Sequence, residues 1–579
     1  MGDGMVGHVA TPSRRCCFEP RIGLHLSVIL WYNTYITDGG ASCMGLPKQK
    51  LQKFLFNAAE YDDMGGIPAD HWCYRFWTCV TKLIDDSRFA GLYHPGGARP
   101  ISPGLIMCIM ILQYKFGYSD RGAVEATIMR RDWRIALGIE FGWEGFEPSV
   151  LCDMRKRLQG LPVREGQKPP TDAEGGLLLF NIVLDLIREA GLLEDSSRLR
   201  VDATHILAQA ARLNRADVVS ESTRLLVREA AKRRPELLEN PQFSSLSEQY
   251  GEERWVGTGD GSDEALLKLG KDAQLLLDLC SEMDLAAKDT LVRVVEENFI
   301  RETADDATTV AGVLPADQRP KQPLVSPHEP DVETGKKRNT PFSGDKLHVL
   351  ETANRLGPNF VLGLAVTGPR VDDISAFPLV LAEARKACPT VSQLLADAGY
   401  SSTANGVLAR KEGVDLIAPP RGNSSRNGIP RDAFIVDLVN QVATCPEGKT
   451  SSVWSDRDDG VSIRFKAADC NACQRRAECT KSQQGRSLSL TEHHEQLERD
   501  RQRAETPEFK DLYRLRAPVE GTFSQLANGY GLRRSRYKGR SGRHLHSVLA
   551  VTALNAWRLV EAAPTVAKPQ PRPHSESLT

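Results

Sequence analysis

The chain has 579 residues, 41% of them apolar and 26% charged, with 74 lysines and arginines against 75 acids. This is the make-up of a globular protein of roughly two to four domains, and it excludes a collagen-like, mucin-like or largely disordered chain. No apolar run approaches the roughly 18–20 residues that span a bilayer, the best being Leu105 to Leu112, so no membrane anchor is expected.

Residues 1–43 read as an irregular tail or a start assigned too early. Arg14, Arg15 and Arg21 before the apolar stretch Leu24 to Tyr32 imitate a secretory signal only faintly. Thirteen irregularly spaced cysteines, an odd number, argue against a disulfide framework and for a reducing cytoplasm. Residues 44–170 are predicted to form a helical N-terminal domain. Pro103 stands at a helix start, Gly117 and Gly138 punctuate, and Ile106, Ile109, Met110 and Tyr114 recur at helical spacing. Arg121, Arg130, Arg131 and Arg134 lie among these short helices. They suit either a DNA backbone or the solvated face of a plain bundle.

A helix over 173–190 leads to a strand centred on Leu199 to Ala203. A charged helical block follows at about 214–302, then a linker at about 304–341 marked by six prolines from Pro315 to Pro341. Strand signals return in GDKLHVLET and NFVLGLAVTGPRV, and a helix follows in ISAFPLVLAEARKAC. VSQLLADAGYSS then reads as a strand and turn. Strands alternating with helices predict an α/β fold, with the helical block as an insertion after the first strand. Residues 561–579 read as a disordered tail.

Three acids stand out by their settings. Asp202 interrupts the apolar strand LRVDATHI, where an unpaired carboxylate is costly to bury. Asp397 ends a strand in LLADAGY, with Gly399 allowing a tight turn. Glu520 follows Pro518, a residue suited to the first helical turn. Three carboxylates are what a pair of Mg²⁺ ions needs to clamp both sides of an in-line phosphoryl displacement. Downstream, Arg533, Arg534, Arg536, Lys538, Arg540 and Arg543 are interleaved with Tyr530 and Tyr537. That pattern fits phosphate neutralisation and stacking on unpaired bases, or a solvated basic turn.

With these motifs in order, residues 88–560 resemble bacterial insertion-sequence transposases of the DDE type. VDATHI, LADAGYSS and YRLRAPVEGTFSQL with GLRRSRYKG carry the likeness; PHEPDVETGKKRNTPFSGDKLHV is similar to the family's lead-in to its second core strand. The resemblance implies an RNase H-like catalytic domain over 171–560, and Mg²⁺ (or Mn²⁺) held by Asp202, Asp397 and Glu520. It implies that Tyr513 and Arg516 touch the DNA backbone beside Arg533, Arg534, Arg536, Lys538 and Arg540. Related enzymes often carry a lysine seven residues after the glutamate; here that position is Ala527, and its role is vacant or passes to Arg533 or Arg534.

Cys445, Cys470, Cys473 and Cys479, in an insertion at about 440–482, supply four thiols with a C-x₂-C core. They suit a tetrahedral Zn²⁺ or remain reduced thiols in a packed subdomain. The resemblance includes a branch with such an insertion. His205 and His348 read as core residues rather than bases. The function implied is binding terminal inverted repeats and cutting and joining double-stranded DNA, as a homo-oligomer, in the bacterial cytoplasm at the nucleoid. The alternatives are an inactive DNA-binding repressor and an RNase H-like nuclease that only hydrolyses.

Overall fold

The computed structural model describes residues 67–68, 70–93, 100–140, 142–163, 175–193, 197–210, 212–251, 262–304, 307–337, 339–420, 428–457, 460–491 and 494–563. The expectations for 1–43 and for most of the C-terminal tail fall outside them. The fold is mixed α/β. Its first part is helical: α1 (Trp72–Cys79), α2 (Pro103–Phe116), α3 (Asp120–Met129), α4 (Arg131–Leu137), α5 (Ser149–Leu158) and α6 (Gly175–Glu189). α2 starts where Pro103 occupies the first turn and the Ser102 hydroxyl accepts from Leu105 N–H. It stops at Gly117, whose φ of 71° suits a residue without a Cβ. α2 is buried nearly all round and packs on the long last helix, α18 (Gly539–Ala562). N- and C-terminal parts of the chain thus share one apolar core with the central sheet.

That sheet is built on β1 (Arg198–Leu207). On one side β1 pairs antiparallel with β5 (Thr340–Thr352), and β5 pairs antiparallel with both β4 (Thr334–Lys337) and β6 (Val361–Thr367). On the other side β1 pairs parallel with β7 (Gln393–Leu395), and β7 pairs parallel with β8 (Asp415–Ile417). The five long-range strands therefore run β6-β5-β1-β7-β8 across the sheet. α11 (Asp373–Ala387) packs on β6, and α12 (Thr403–Lys411) connects β7 to β8.

Between β1 and β4 lies a region with an apolar core of its own. It is formed by α7 (Arg215–Arg233), α8 (Pro241–Tyr250), α9 (Asp263–Leu279), α10 (Ala286–Asn298) and the hairpin β2 (Phe299–Ala304)–β3 (Ala307–Val313). The segment after it departs from the expected linker. Leu324, Val325, Ser326, Glu329 and Val332 are all buried, so this proline-marked stretch is packed, Leu324 in the core of the helical insertion and Val325 and Val332 against Ala208. Proline fixes φ in a packed segment as readily as in a mobile one, which is why composition alone misread it.

After β8 a third, small core of seven buried residues gathers β9 (Ile435–Asp437), β10 (Val442–Thr444), β11 (Ser451–Arg457), β12 (Gly460–Phe465), the short helices α13 (Ala467–Asn471) and α14 (Arg476–Cys479), and β13 (Ser487–Thr491). α15 (His494–Glu505), α16 (Pro507–Tyr513) and α17 (Pro518–Gly529) return the chain to the main sheet. A bidentate pair fastens α15 there, Arg503 reaching both Asp415 oxygens on β8 at 2.7 and 2.6 Å. Among the described residues no helix is long and apolar enough to cross a membrane, and all ten cysteines are free.

Candidate active site

Asp202 sits in the middle of β1, opposite Val349 of β5. Its Oδ1 accepts its neighbour's N–H (Ala203, 2.8 Å), and its Oδ2 takes a guanidinium N–H of Arg516 at 2.5 Å. Burial pushes the carboxyl up to about 6; Arg516 and the Ala203 N–H pull it down, while Asp397 and Asp373 add to the rise. Arg516 also reaches Glu520 at 3.2 Å, one turn along the chain, so a single guanidinium spans two acids that lie 318 positions apart in sequence. Glu520 is in the first turn of α17, which Pro518 begins, and its side chain is 73% exposed.

Asp397 follows β7, the strand beside β1. Its Oδ1 accepts the Gly399 N–H at 2.8 Å. A Cβ on Gly399 would lie 2.7 Å from that oxygen and 2.9 Å from Asp373 Oδ2, so only glycine lets these two carboxylates close around the turn. Asp373, in the first turn of α11, is held by Lys346, whose ammonium lies 3.2 Å from it and 2.6 Å from the Val371 carbonyl. The fields of Asp202, Asp397 and Asp373 all act on the buried Tyr400 hydroxyl. Tyr513 feels Arg516, Asp397, Asp202 and Glu520 together. The three sequence-predicted acids, Tyr513 and Arg516 therefore share one neighbourhood. Asp373 is a fourth acid there that sequence reasoning missed, because in VDDIS it looks like part of a helix cap. Among the described residues, no three His, Cys, Asp or Glu side chains are gathered as closely as a metal ion requires.

Beneath the acids lies a second set of residues that the sequence did not single out. Glu351 of β5 is fully buried. It accepts Arg200 Nε at 2.7 Å, the Thr522 hydroxyl at 2.7 Å and Arg558 at 2.5 Å. Arg200 also donates to the Leu515 carbonyl at 3.1 Å. The network thus fixes Leu515, next to Arg516, and Thr522, two residues from Glu520. His348 is the core residue expected, its nitrogens engaged by Tyr400 (2.6 Å) and Thr367 (2.9 Å). Burial lowers it to about 4, so it is neutral. His205 differs: its buried Nδ1 has no hydrogen-bond partner, and the ring stands edge-on to Phe342 at 4.3 Å.

The basic segment is held beside β1. Leu207 N–H donates to the Arg533 carbonyl and Ser535 N–H to the Leu207 carbonyl, both at 2.9 Å. Arg533, Arg534, Lys538 and Arg540 are exposed. The other members of the run are engaged inside the protein. Arg536 donates to the Tyr118 carbonyl and lies over the Tyr114 ring, and Arg543 is buried among Glu329, Asp331 and Asp345. Tyr530 is buried and Tyr537 bonds Tyr114, so neither offers the open stacking face expected from the pattern. In the N-terminal helices Arg130 pairs with Asp132, and buried Arg134 donates to the Thr127 carbonyl, as in a plain bundle; Arg121 is exposed.

Cys445, Cys470, Cys473 and Cys479 line a single cavity of about 350 Å³. Lys449 N–H points at Cys445 Sγ (3.3 Å) and Arg486 N–H at Cys470 Sγ (3.4 Å). Burial raises the Cys479 thiol, and the fields of the other three add to that rise.

Comparison with known proteins gives two matches. A family model described as Transposase domain matches residues 65–157, the helical region containing α1 to α5. A model described as Transposase DDE domain matches residues 444–560, from the cysteine module through Glu520 and the basic segment. Searches of curated proteins and of solved structures returned no match. Two transposase models, met in chain order on either side of the central sheet, together indicate an insertion-sequence DDE transposase.

Proposed function

We propose that this transposase binds the terminal inverted repeats of its element and both cleaves DNA and joins the freed ends to a target, through an RNase H-like core in which Asp202, Asp397 and Glu520 are the catalytic acids. The observation that carries the reading is Arg516 bridging Asp202 and Glu520 while Asp397 acts on the same carboxylate. The strand order β6-β5-β1-β7-β8, with the first three antiparallel and the last two parallel to β1, supports the fold assignment.

The donors fit Mg²⁺ or Mn²⁺ in kind: hard carboxylate oxygens with no soft ligand among them, and an Asp202 carboxyl raised first by burial and then by Asp397 and Asp373. Bound there, divalent ions would activate the attacking oxygen and stabilise the leaving one. The chain's own residues do the rest. Arg516 balances the acids and keeps Glu520 turned toward Asp202. Exposed Arg533, Arg534, Lys538 and Arg540 hold the phosphate backbone beside β1. Catalysis is then mostly positioning and charge neutralisation, with no covalent link between protein and DNA. Two ends must meet, so the working form is a homo-oligomer on DNA.

Zn²⁺ in the cysteine module belongs to the same reading. Four thiols share a cavity, two receive backbone N–H groups as thiolates do, and seven buried side chains are a thin core for a segment of this length. Purified protein is expected to contain one zinc per chain by elemental analysis, and Cys473→Ser to lose it and loosen 428–491 to proteolysis. Protein that is metal-free yet equally resistant would refute the zinc.

The function itself is tested by incubating the protein with Mg²⁺ and DNA carrying the ends of its element, intact in one reaction and pre-cut in another. Joined product is expected. Cleavage without joining would make the chain a nuclease, and neither would make it a DNA-binding repressor.

A further inference from the structure

We propose that Glu329 is a positioning residue for DNA, fastening the basic segment 533–540 to the end of β1 so that its exposed cations meet the phosphate backbone in fixed register. The inference rests on the DNA-processing reading above.

Glu329 is 1% exposed. One carboxylate oxygen accepts the Ala210 N–H at 2.5 Å, three residues beyond β1. The other accepts the Gly539 N–H at 2.9 Å and an Arg543 N–H at 3.0 Å, both at the start of α18. Asp331 accepts the Arg540 N–H and lies 3.5 Å from Arg543, whose Nε donates to Asp345 of β5 at 2.5 Å. At the segment's other end, Leu207 of β1 exchanges two backbone hydrogen bonds with Arg533 and Ser535. The basic segment is thus pinned at both ends to the strand that carries Asp202. Between the pins Arg533, Arg534, Lys538 and Arg540 stay exposed.

The chemistry requires a carboxylate. Two backbone N–H groups and a guanidinium converge on one buried side chain, and an anionic acceptor bonds them more strongly than a neutral one. The same hub reaches the helical insertion. His328, the preceding residue, lies 2.8 Å from Glu221 of α7, which Arg224 also holds at 2.7 Å.

Charge alone and positioning give opposite signs. Removing a negative charge beside a cationic segment should tighten DNA binding. Releasing the segment should weaken it, because mobile cations neutralise fewer phosphates at once. The test uses full-length Glu329→Gln against wild type in two measurements. The first is trypsin nicking within 533–540, where Arg533, Arg534, Arg536, Lys538 and Arg540 offer cleavage points. The second is binding to a mixed-sequence DNA duplex across a salt series.

Nicking is expected to accelerate about tenfold, the equivalent of losing roughly one buried charge-assisted hydrogen bond. Affinity is expected to fall about tenfold, with a shallower salt slope by about one to two ion contacts. Unchanged nicking overturns the proposal, whatever the DNA does. Faster nicking with unchanged or tighter binding also overturns it, and places the DNA contacts elsewhere. The transposase reading is judged separately, by strand transfer with wild type. Should Glu329→Gln fail to fold, Asp331→Asn, at a half-exposed position, decides by the same two measurements with about threefold changes expected.

Discussion

Asp202→Asn is expected to abolish cleavage and joining while making the metal-free protein more stable. The two effects share one cause. Burial raises the Asp202 carboxyl to about 6 although Arg516 sits against it, so in the folded chain the charged form is held against its preference. A carboxyl raised above its unfolded value keeps its proton longer in the folded state. Its contribution to stability is whole below about pH 4 and is lost as pH rises through about 6. At neutral pH the deprotonated group therefore strains the fold, on the order of 3 kcal/mol at most, and an asparagine of the same shape removes that strain. Thermal unfolding without divalent ions at pH 7.5 (about one and a half units above the raised value) should show the variant melting higher. Adding Mg²⁺ or Mn²⁺ should raise the melting temperature of wild type and leave the variant nearly unmoved. An active variant, or one stabilised by the ions as much as wild type, would remove Asp202 from the metal site.

The second large effect is expected at a residue that touches no DNA. Glu351→Ala should destabilise the protein by about 3–5 kcal/mol in chemical denaturation, since it strands a buried guanidinium. Arg200, with a side chain 3% exposed, loses its counter-charge; Arg558 and the Thr522 hydroxyl lose the same acceptor. The damage reaches the chemistry because Arg200 also holds the Leu515 carbonyl, next to Arg516, and Thr522 lies two residues from Glu520. Glu351→Gln, which keeps an acceptor of similar shape, should recover part of the stability. Equal stability of Glu351→Ala and wild type would show that the network supports nothing.

What the sequence made legible follows from how local each signal is. The start of α2 at Pro103 and its stop at Gly117 are readable because the cap chemistry lies within one turn of the helix end. The strand around Asp202 is readable because one acid in an apolar run demands an explanation. The proximity of Asp202, Arg516 and Glu520 was available only through resemblance, since nothing local connects positions hundreds of residues apart. Glu329, Glu351 and Asp373 stayed hidden for a complementary reason. A buried carboxylate with three donors and an exposed one look alike in sequence, and in the PHEP and VDDIS stretches they pass for turn and cap residues. The basic run misled in the opposite way. Composition counted six cations and two aromatics between Tyr530 and Arg543, whereas two of the cations and both tyrosines are consumed by packing.

β1 recruits its partners from far along the chain: β5 follows the helical insertion, β7 comes later still, and Arg516, with the Arg533 segment that extends the strand's end, comes after both. Until residue 516 has been made, Asp202 lacks the counter-ion that it has in the folded chain. A polypeptide interrupted before Arg516 therefore lacks both that guanidinium and Glu520, which it reaches. Such an order of assembly leaves the acid of β1 without its bridge to Glu520 until residues 516–520 are in place.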